Sequence, residues 1–164
     1  MKTEYEKMLC GEVYNAVDEG LLKDLNLCKD RCWEYNQIRP TLIKERNDKL
    51  HEILGRCDDD TFINQPFFCD YGKHIRVGRR FFANFNWTVL DEAMVTIGDD
   101  CFIGPNVSIY TACHSTEAKN DFRSMAIYVL FTSMADRQTS SPVVNSFFLY
   151  PMYSSLTVAK DERA

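Results

Sequence analysis

The sequence predicts a mainly β protein built as a parallel β-helix, with a helical segment before it and an atypical segment after it. Three observations carry this. Ile recurs every sixth position in "IGDDCF" from Ile97, "IGPNVS" from Ile103 and "IYTACH" from Ile109, and Gly follows it twice. A fourth hexad, "VGRRFF", begins at Val77. The texture changes on both sides of this region, to helical spacing before it and to a glycine-free stretch after Gly104.

Residues 1–56 read as several short helices. Apolar residues fall at helical spacing in "EKMLCGEVYNAV", "LLKDLNLCKDRCWEYNQI" and "TLIKERNDKLHEILGRC", the pattern of amphipathic helices. Gly11 and Gly20 punctuate the first part, Pro40 separates the second helix from the third, and the last ends near Gly55. Their charged faces read as solvated surface.

Residues 57–120 carry the repeats. Ile75, Val77, Phe81, Ala83, Val89, Val95, Ile97, Cys101, Ile103, Val107 and Ile109 alternate with polar positions, as strands require. A lone pair of hexads would fit an antiparallel sandwich equally well. Three in register after a fourth favour coils in which each hexad forms one flat face and three faces close a turn. The aliphatic then points inward and stacks on its equivalents about 4.8 Å away. Gly78, Gly98 and Gly104 are expected at corners whose torsions glycine tolerates.

Residues 121–164 do not continue the hexads. "PVVNSFFLYPMYSSLTV" is apolar, rich in Ser and aromatics, and is followed by the charged "AKDERA". Residues 125–158 are expected to form no regular coils and either to fold back irregularly over the open end of the stack or to stay poorly ordered. Burial of the side chains in "VVNSFFLY" favours covering.

The chain has 164 residues, the size of one domain, and a formal charge of −5 with no Lys/Arg cluster among aromatics, which argues against a nucleic-acid partner. The start "MKTEYEKMLC" is too charged for a signal peptide, and no apolar run reaches membrane-spanning length. A cytoplasmic protein without a membrane partner is the expectation. Seven cysteines, scattered without a Cys-x-x-Cys pair, read as reduced thiols, with no metal expected.

The stretches "EKMLCGEVYNAVDEGL" and "CDYGKHIRVGRRFFANFNWTVLDEAMVTIGDDCFIGPNVSIYTACH" resemble the maltose and galactoside O-acetyltransferases, a branch of the hexapeptide-repeat acyltransferases, over about residues 4–120. The resemblance implies a helical N-terminal cap, a left-handed parallel β-helix, a homotrimer, and acetyl transfer from acetyl-coenzyme A to a sugar hydroxyl.

It also assigns roles. His114 in "TACH" matches the catalytic histidine, and an imidazole titrating near neutrality suits a general base. Asp70 in "CDYG" and Asn84 in "ANFN" match acceptor contacts, Asn84 also at the developing oxyanion and hence at the coenzyme's acyl end. Asp91 and Glu92 match an acidic pair of which one reaches the substrate, and Asp18 is a further acceptor contact. His51 and His74 read as structural. Cys113 adjoins His114, but neighbours on an extended strand face opposite ways, so a Cys–His dyad is geometrically poor.

After His114 the sequence departs from the family: the further coils that hold much of the coenzyme are replaced, and that part of its site is missing, so weak coenzyme binding is expected. The chain then has two readings. One is a maltose-, glucose- or galactoside-type O-acetyltransferase acting in a ternary complex without an acyl-enzyme. The other is a non-catalytic, truncated or frame-shifted homologue that retains only the acceptor half of the site.

Overall fold

A computed structural model of the chain describes residues 1–114 and three later strands at 124–126, 130–132 and 156–159, with side chains described through residue 112. Three helices come first. In α1 (Glu4–Cys10) Thr3 and Glu6 form a capping box, and the helix ends at Gly11, whose φ of 75° is left-handed. A short strand, β1 (Tyr14–Asn15), leads into α2 (Glu19–Gln37), capped by Asp18. Gly20 therefore sits inside the first turn of α2 rather than between helices. Pro40 lies in the link to α3 (Ile43–Ile53). Leu21, Cys28, Cys32 and Tyr35 form the buried stripe of α2, which packs on α3 and on the first coil.

Eight short strands then wind into a parallel β-helix: β2 (Phe62–Ile63), β3 (Phe67–Cys69), β4 (Ile75–Val77), β5 (Phe82–Ala83), β6 (Trp87–Leu90), β7 (Met94–Ile97), β8 (Phe102–Ile103) and β9 (Ser108–Tyr110). The first face stacks β2, β5 and β8, the second β3, β6 and β9, and the third β4 and β7, all in parallel register. Partners such as Phe62, Phe82 and Phe102 lie twenty positions apart, two more than three hexads supply. The inward residues Val77, Ala83 and Val89, then Ile97, Ile103 and Ile109, are all buried. They step by six within a coil and by eight across the corner after the second face, which is where the extra residues go.

Stacking at the same period fills the interior and orders the exterior. Inside, Trp87 is fully buried, with Phe67 and Phe81 at ring separations of 5.1 and 5.2 Å. Outside, Phe82 stacks between Phe62 and Phe102 at 5.8 and 5.9 Å. Asn86 Nδ2 donates to Asn106 Oδ1 (3.0 Å), and Arg79 and Arg80 pair with Asp99 and Asp100.

The corner torsions differ from expectation. Left-handed φ values fall at Arg80, Asn86, Asp100 and Asn106, again twenty apart, and not at Gly78, Gly98 or Gly104. Gly78 is needed for space instead. A Cβ there would lie 2.5 Å from the Asp99 nitrogen and 2.6 Å from the Gly98 carbonyl carbon, whereas one at Gly104 would meet nothing within 4 Å.

The later strands are β10 (Cys113–His114), β11 (Ser124–Ala126), β12 (Leu130–Thr132) and β13 (Leu156–Ala159). β12 runs antiparallel along β9, β13 antiparallel along β7, and β11 antiparallel to both β1 and β10. The described parts of 125–158 thus do not extend the coil; they fold back along its last edges as short strands rather than irregularly. The remainder of that expectation lies outside the described residues. Among the described residues no helix is long and apolar enough to cross a membrane.

The two glycines separate on substitution. Gly78→Ala forces backbone to move and is expected to destabilise by about 1–3 kcal/mol, the range for overpacking, while Gly104→Ala stays within about 0.5 kcal/mol of the parent, as exposed changes do. Urea unfolding of both variants checks this, and equal midpoints would contradict it.

Candidate active site

The wide corner after the second face is where the polar side chains collect. Its first layer is Asp70, Tyr71, Gly72, Lys73 and His74, its second Asp91, Glu92 and Ala93, and its third begins at Thr111 and Ala112. Gly72 admits the turn: its φ is 68°, and any Cβ would run into the carbonyl of Ile53. Thr111 ties the layers together, donating from Oγ1 to the Leu90 carbonyl and accepting from the Ala93 N–H, both at 2.8 Å.

Asp91 is the centre of the corner and is 0 % exposed. Its Oδ1 accepts from the N–H groups of Asp70 (3.1 Å) and Tyr71 (2.8 Å), while Oδ2 has no hydrogen-bond partner. Burial pushes its pKa up to about 7, against the pull of the Tyr71 N–H. Glu92, also buried, is driven up more strongly, first by desolvation and then by the charge of Asp70 and a hydrogen bond with it. Glu92 therefore keeps its proton at neutral pH and donates to Asp70, while its Oε2 is left unpartnered. Tyr14 and Tyr71 border the cluster, both raised by burial and next by Glu92.

His74 closes the back of the corner. Nδ1 is 2.5 Å from the Asp91 carbonyl, which requires that nitrogen to carry the proton, so Nε2 accepts from the Tyr5 hydroxyl at 3.0 Å. Burial lowers its pKa to about 4, so the ring is neutral at pH 7. Lys73 turns outward, pairing with Asp24 at 2.6 Å over the Tyr5 ring.

The fold thus brings Asp70, Asp91 and Glu92 together, while Asn84 lies at another corner and the Asp18 carboxylate is engaged at the start of α2. Asn84 follows β5, at the corner between first and second faces, where its Oδ1 accepts from the Phe85 N–H (2.8 Å). The Asp18 carboxylate caps α2, accepting from Gly20 (3.0 Å) and Leu21 (3.2 Å). The backbone of His114 belongs to β10 and pairs with Met125, whose other neighbour is Tyr14. That places it two strands from a residue bordering the acidic cluster. The side chains of Cys113 and His114 lie outside the described residues. His51 is remote from the corner, 3.0 Å from Asp59 and 3.4 Å from Cys57.

Sequence reasoning missed Tyr5, Tyr14, Tyr71 and Thr111, which no spacing marks; the twenty-residue register of Tyr71, Asp91 and Thr111 was the available signal. It also missed a group of metal-ligand type. Among the described residues, Cys28, Cys32 and Cys69 place their sulfurs within 4.8 Å of one another.

A family model described as the maltose acetyltransferase hexapeptide capping motif matches residues 7–58. The structure of a maltose O-acetyltransferase from Clostridium difficile superposes with a TM-score of 0.72 at 35% identity, covering 77% of this chain and 68% of that one. A galactoside acetyltransferase solved in complex with coenzyme A superposes with the same TM-score at 27% identity, covering 78% and 64%. Nodulation protein L of Rhizobium meliloti is 42% identical over 113 residues, 69% of this chain and 62% of that protein. The chain spans less than two thirds of the length of this and the other curated relatives it matches.

The acidic corner sets a pH dependence of stability. A carboxylate whose folded pKa is raised stabilises fully below its unfolded value, 4.5 for Glu92, and that contribution is lost as pH rises through the folded value. Asp91 adds the same slope between 3.8 and about 7. His74 gives the opposite slope, confined to pH 4 to 6.5. Above pH 7 the Glu92 slope outlasts those of Asp91 and His74, and the shifted cysteine thiols add a slope common to parent and variant, so unfolding free energy should fall from pH 7 to 9 more steeply in the parent than in Glu92→Gln. Chemical denaturation across that range checks it; parallel profiles would show that Glu92 is already ionised at neutrality.

Proposed function

The chain belongs to the hexapeptide-repeat acetyltransferases that include the maltose and galactoside enzymes, and from that premise we propose that it moves an acetyl group from acetyl-coenzyme A to a hydroxyl of a maltose-, glucose- or galactoside-type sugar. The observation that carries this is the acidic corner. Two buried carboxyl oxygens, Asp91 Oδ2 and Glu92 Oε2, lack partners, and leaving such groups unpaired costs about 1–3 kcal/mol each. Sugar hydroxyls, which both donate and accept, supply the missing bonds. A non-catalytic homologue that kept the acceptor half would share this corner; the acetyltransferase relatives and neighbours favour the enzyme reading.

The chemistry is a direct transfer. His114 takes the acceptor hydroxyl proton as the oxygen attacks the thioester carbonyl. The tetrahedral intermediate collapses to the sugar ester, and the departing thiolate regains the proton from the imidazolium. The Asn84 amide steadies the oxyanion and the acyl end of acetyl-coenzyme A. Asp70 accepts hydroxyl hydrogen bonds, protonated Glu92 donates, and Asp18 contacts the acceptor from the rim of α2. The coenzyme A complex of the galactoside acetyltransferase supports acetyl-coenzyme A as co-substrate.

Asn84 and the His114 strand stand at different corners of the coil, so a complete site needs a neighbouring copy. A left-handed coil assembled as a homotrimer, with each site built between two copies, supplies one. The exposed Phe85 and Phe102 on and beside the first face support a contact there. The free thiols of Cys10, Cys28, Cys32, Cys57 and Cys69 support a cytoplasmic setting.

Thiol release from acetyl-coenzyme A with maltose, glucose or a galactoside as acceptor tests the activity. His114→Ala should slow it about 100-fold, the loss typical of a general base, with the fold intact by circular dichroism. Release with none of the sugars would favour the non-catalytic reading, and an unchanged rate would remove His114 from the mechanism. Multi-angle light scattering should give three times the chain mass; a monomer would rule out a site shared between copies.

A further inference from the structure

Directly behind the acidic corner, three thiols meet at the seam between α2 and β3. Cys28 and Cys32 stand one helical turn apart on the buried stripe of α2, and Cys69 ends β3. The Cys69 sulfur lies 3.5 Å from that of Cys28 and 3.6 Å from that of Cys32. All three side chains are sealed from solvent, at 3, 3 and 5 % exposure.

We propose that Cys28, Cys32 and Cys69 form a three-coordinate thiolate site for a soft monovalent d10 cation, copper(I). Three sulfurs around one ion, at bonds of about 2.3 Å, stand about 4.0 Å apart, so the two edges at Cys69, 3.5 and 3.6 Å, need to open by only a few tenths of an ångström, and the third lies within 4.8 Å. Among the described residues no fourth His, Cys, Asp or Glu joins the group. Structural zinc takes four ligands, and an all-sulfur site with fewer selects the softer ion. Ligation would bolt α2 to β3 one residue before Asp70 and so hold the first layer of the acidic corner. The spacing was not visible as a motif because the third ligand is 37 residues beyond the second.

The test is an anaerobic titration of the reduced full-length protein with copper(I), supplied as its acetonitrile complex in competition with a chromogenic copper(I) chelator. Cys10 and Cys113 are replaced by serine throughout, which leaves Cys57 and Cys101 as the remaining thiols outside the cluster. One equivalent should bind, with an ultraviolet thiolate-to-copper band and a higher melting temperature. Cys32→Ser and Cys69→Ser should lose all three signals, and Cys57→Ser should keep them. Copper-edge X-ray absorption on the chain with all three thiols present should show three sulfur neighbours, a readout that survives misfolding of any variant. Failure to compete with the chelator, unchanged binding in both cluster variants, or a copper shell with two sulfurs or with nitrogen or oxygen would overturn the assignment.

Discussion

Each residue of the β-helix sits over the residue twenty positions earlier, and this stacking decides what every position can be. Inside, Trp87 over Phe67 and Val89 over Cys69 must fill one cross-section in successive layers. Outside, Asn106 over Asn86 and Asp99 beside Arg79 repeat a polar step at the same interval. The exposed ion pairs add little stability, since salt and solvent screen them. Their effect is on register: a slip of one residue would turn the inward set outward and break every ladder at once. Left-handed torsions at Arg80 and Asp100 come from the same repetition, because a corner that stacks on its predecessor has to copy its backbone. Asn tolerates that torsion at Asn86 and Asn106 through its own polar side chain.

The two residues beyond three hexads are the structural origin of the candidate site. A tight corner leaves no interior room for side chains, whereas the wide one admits Tyr71, His74, Asp91 and Glu92 beneath the helices. Because α1 and α2 roof this corner, the groups it holds are desolvated, and three carboxyls cannot all ionise there. The structure resolves that conflict unevenly. Asp91 receives two backbone N–H groups on one oxygen, Glu92 retains a proton toward Asp70, and burial keeps His74 neutral while its Nδ1–H donates to a carbonyl. No guanidinium or ammonium among the described residues enters the cluster to neutralise it; Lys73 faces away to Asp24. A corner arranged in this way offers an acceptor, a donor and two oxygens without hydrogen-bond partners, the polarity on which the proposed sugar site rests.

How much of this the sequence revealed depends on the distance over which each signal acts. The recurrence of Ile97, Ile103 and Ile109 lies within one coil, so the β-helix was legible, as were the helices before it. The eight-residue step was hidden because residues 70–74 and 90–94 carry no aliphatic rhythm, and the true period emerges only when strands are paired. Glycines were misread for a related reason: Gly78 is dictated by Asp99 in the next layer, a contact absent from local sequence. Asp70, Asp91 and Glu92 were identified by resemblance, and their convergence needed the register. The thiols of Cys28 and Cys69 meet across 41 positions, beyond the reach of any spacing rule.

The incomplete stack bears on the site less than its length suggests. An open coil end exposes unpaired backbone on each face, the hazard that sheet proteins cover or blunt. Here β12 and β13 lie antiparallel along β9 and β7, closing two of the three edges by a route that needs no hexad pattern. On the remaining face β8 has no further partner among the described residues, and Phe102 there is 70 % exposed. The acidic corner is elsewhere: its carboxylates belong to the first and second layers, with Thr111 of the third bonded above and α1 and α2 packed beside them. Among the described residues, a change confined to the far end therefore reaches the acidic corner through Thr111 and through β11, which joins the His114 strand to β1. The acidic corner is thus held by contacts made before residue 112, whereas in the proposed chemistry the placement of the histidine and much of the coenzyme site depend on the chain beyond it.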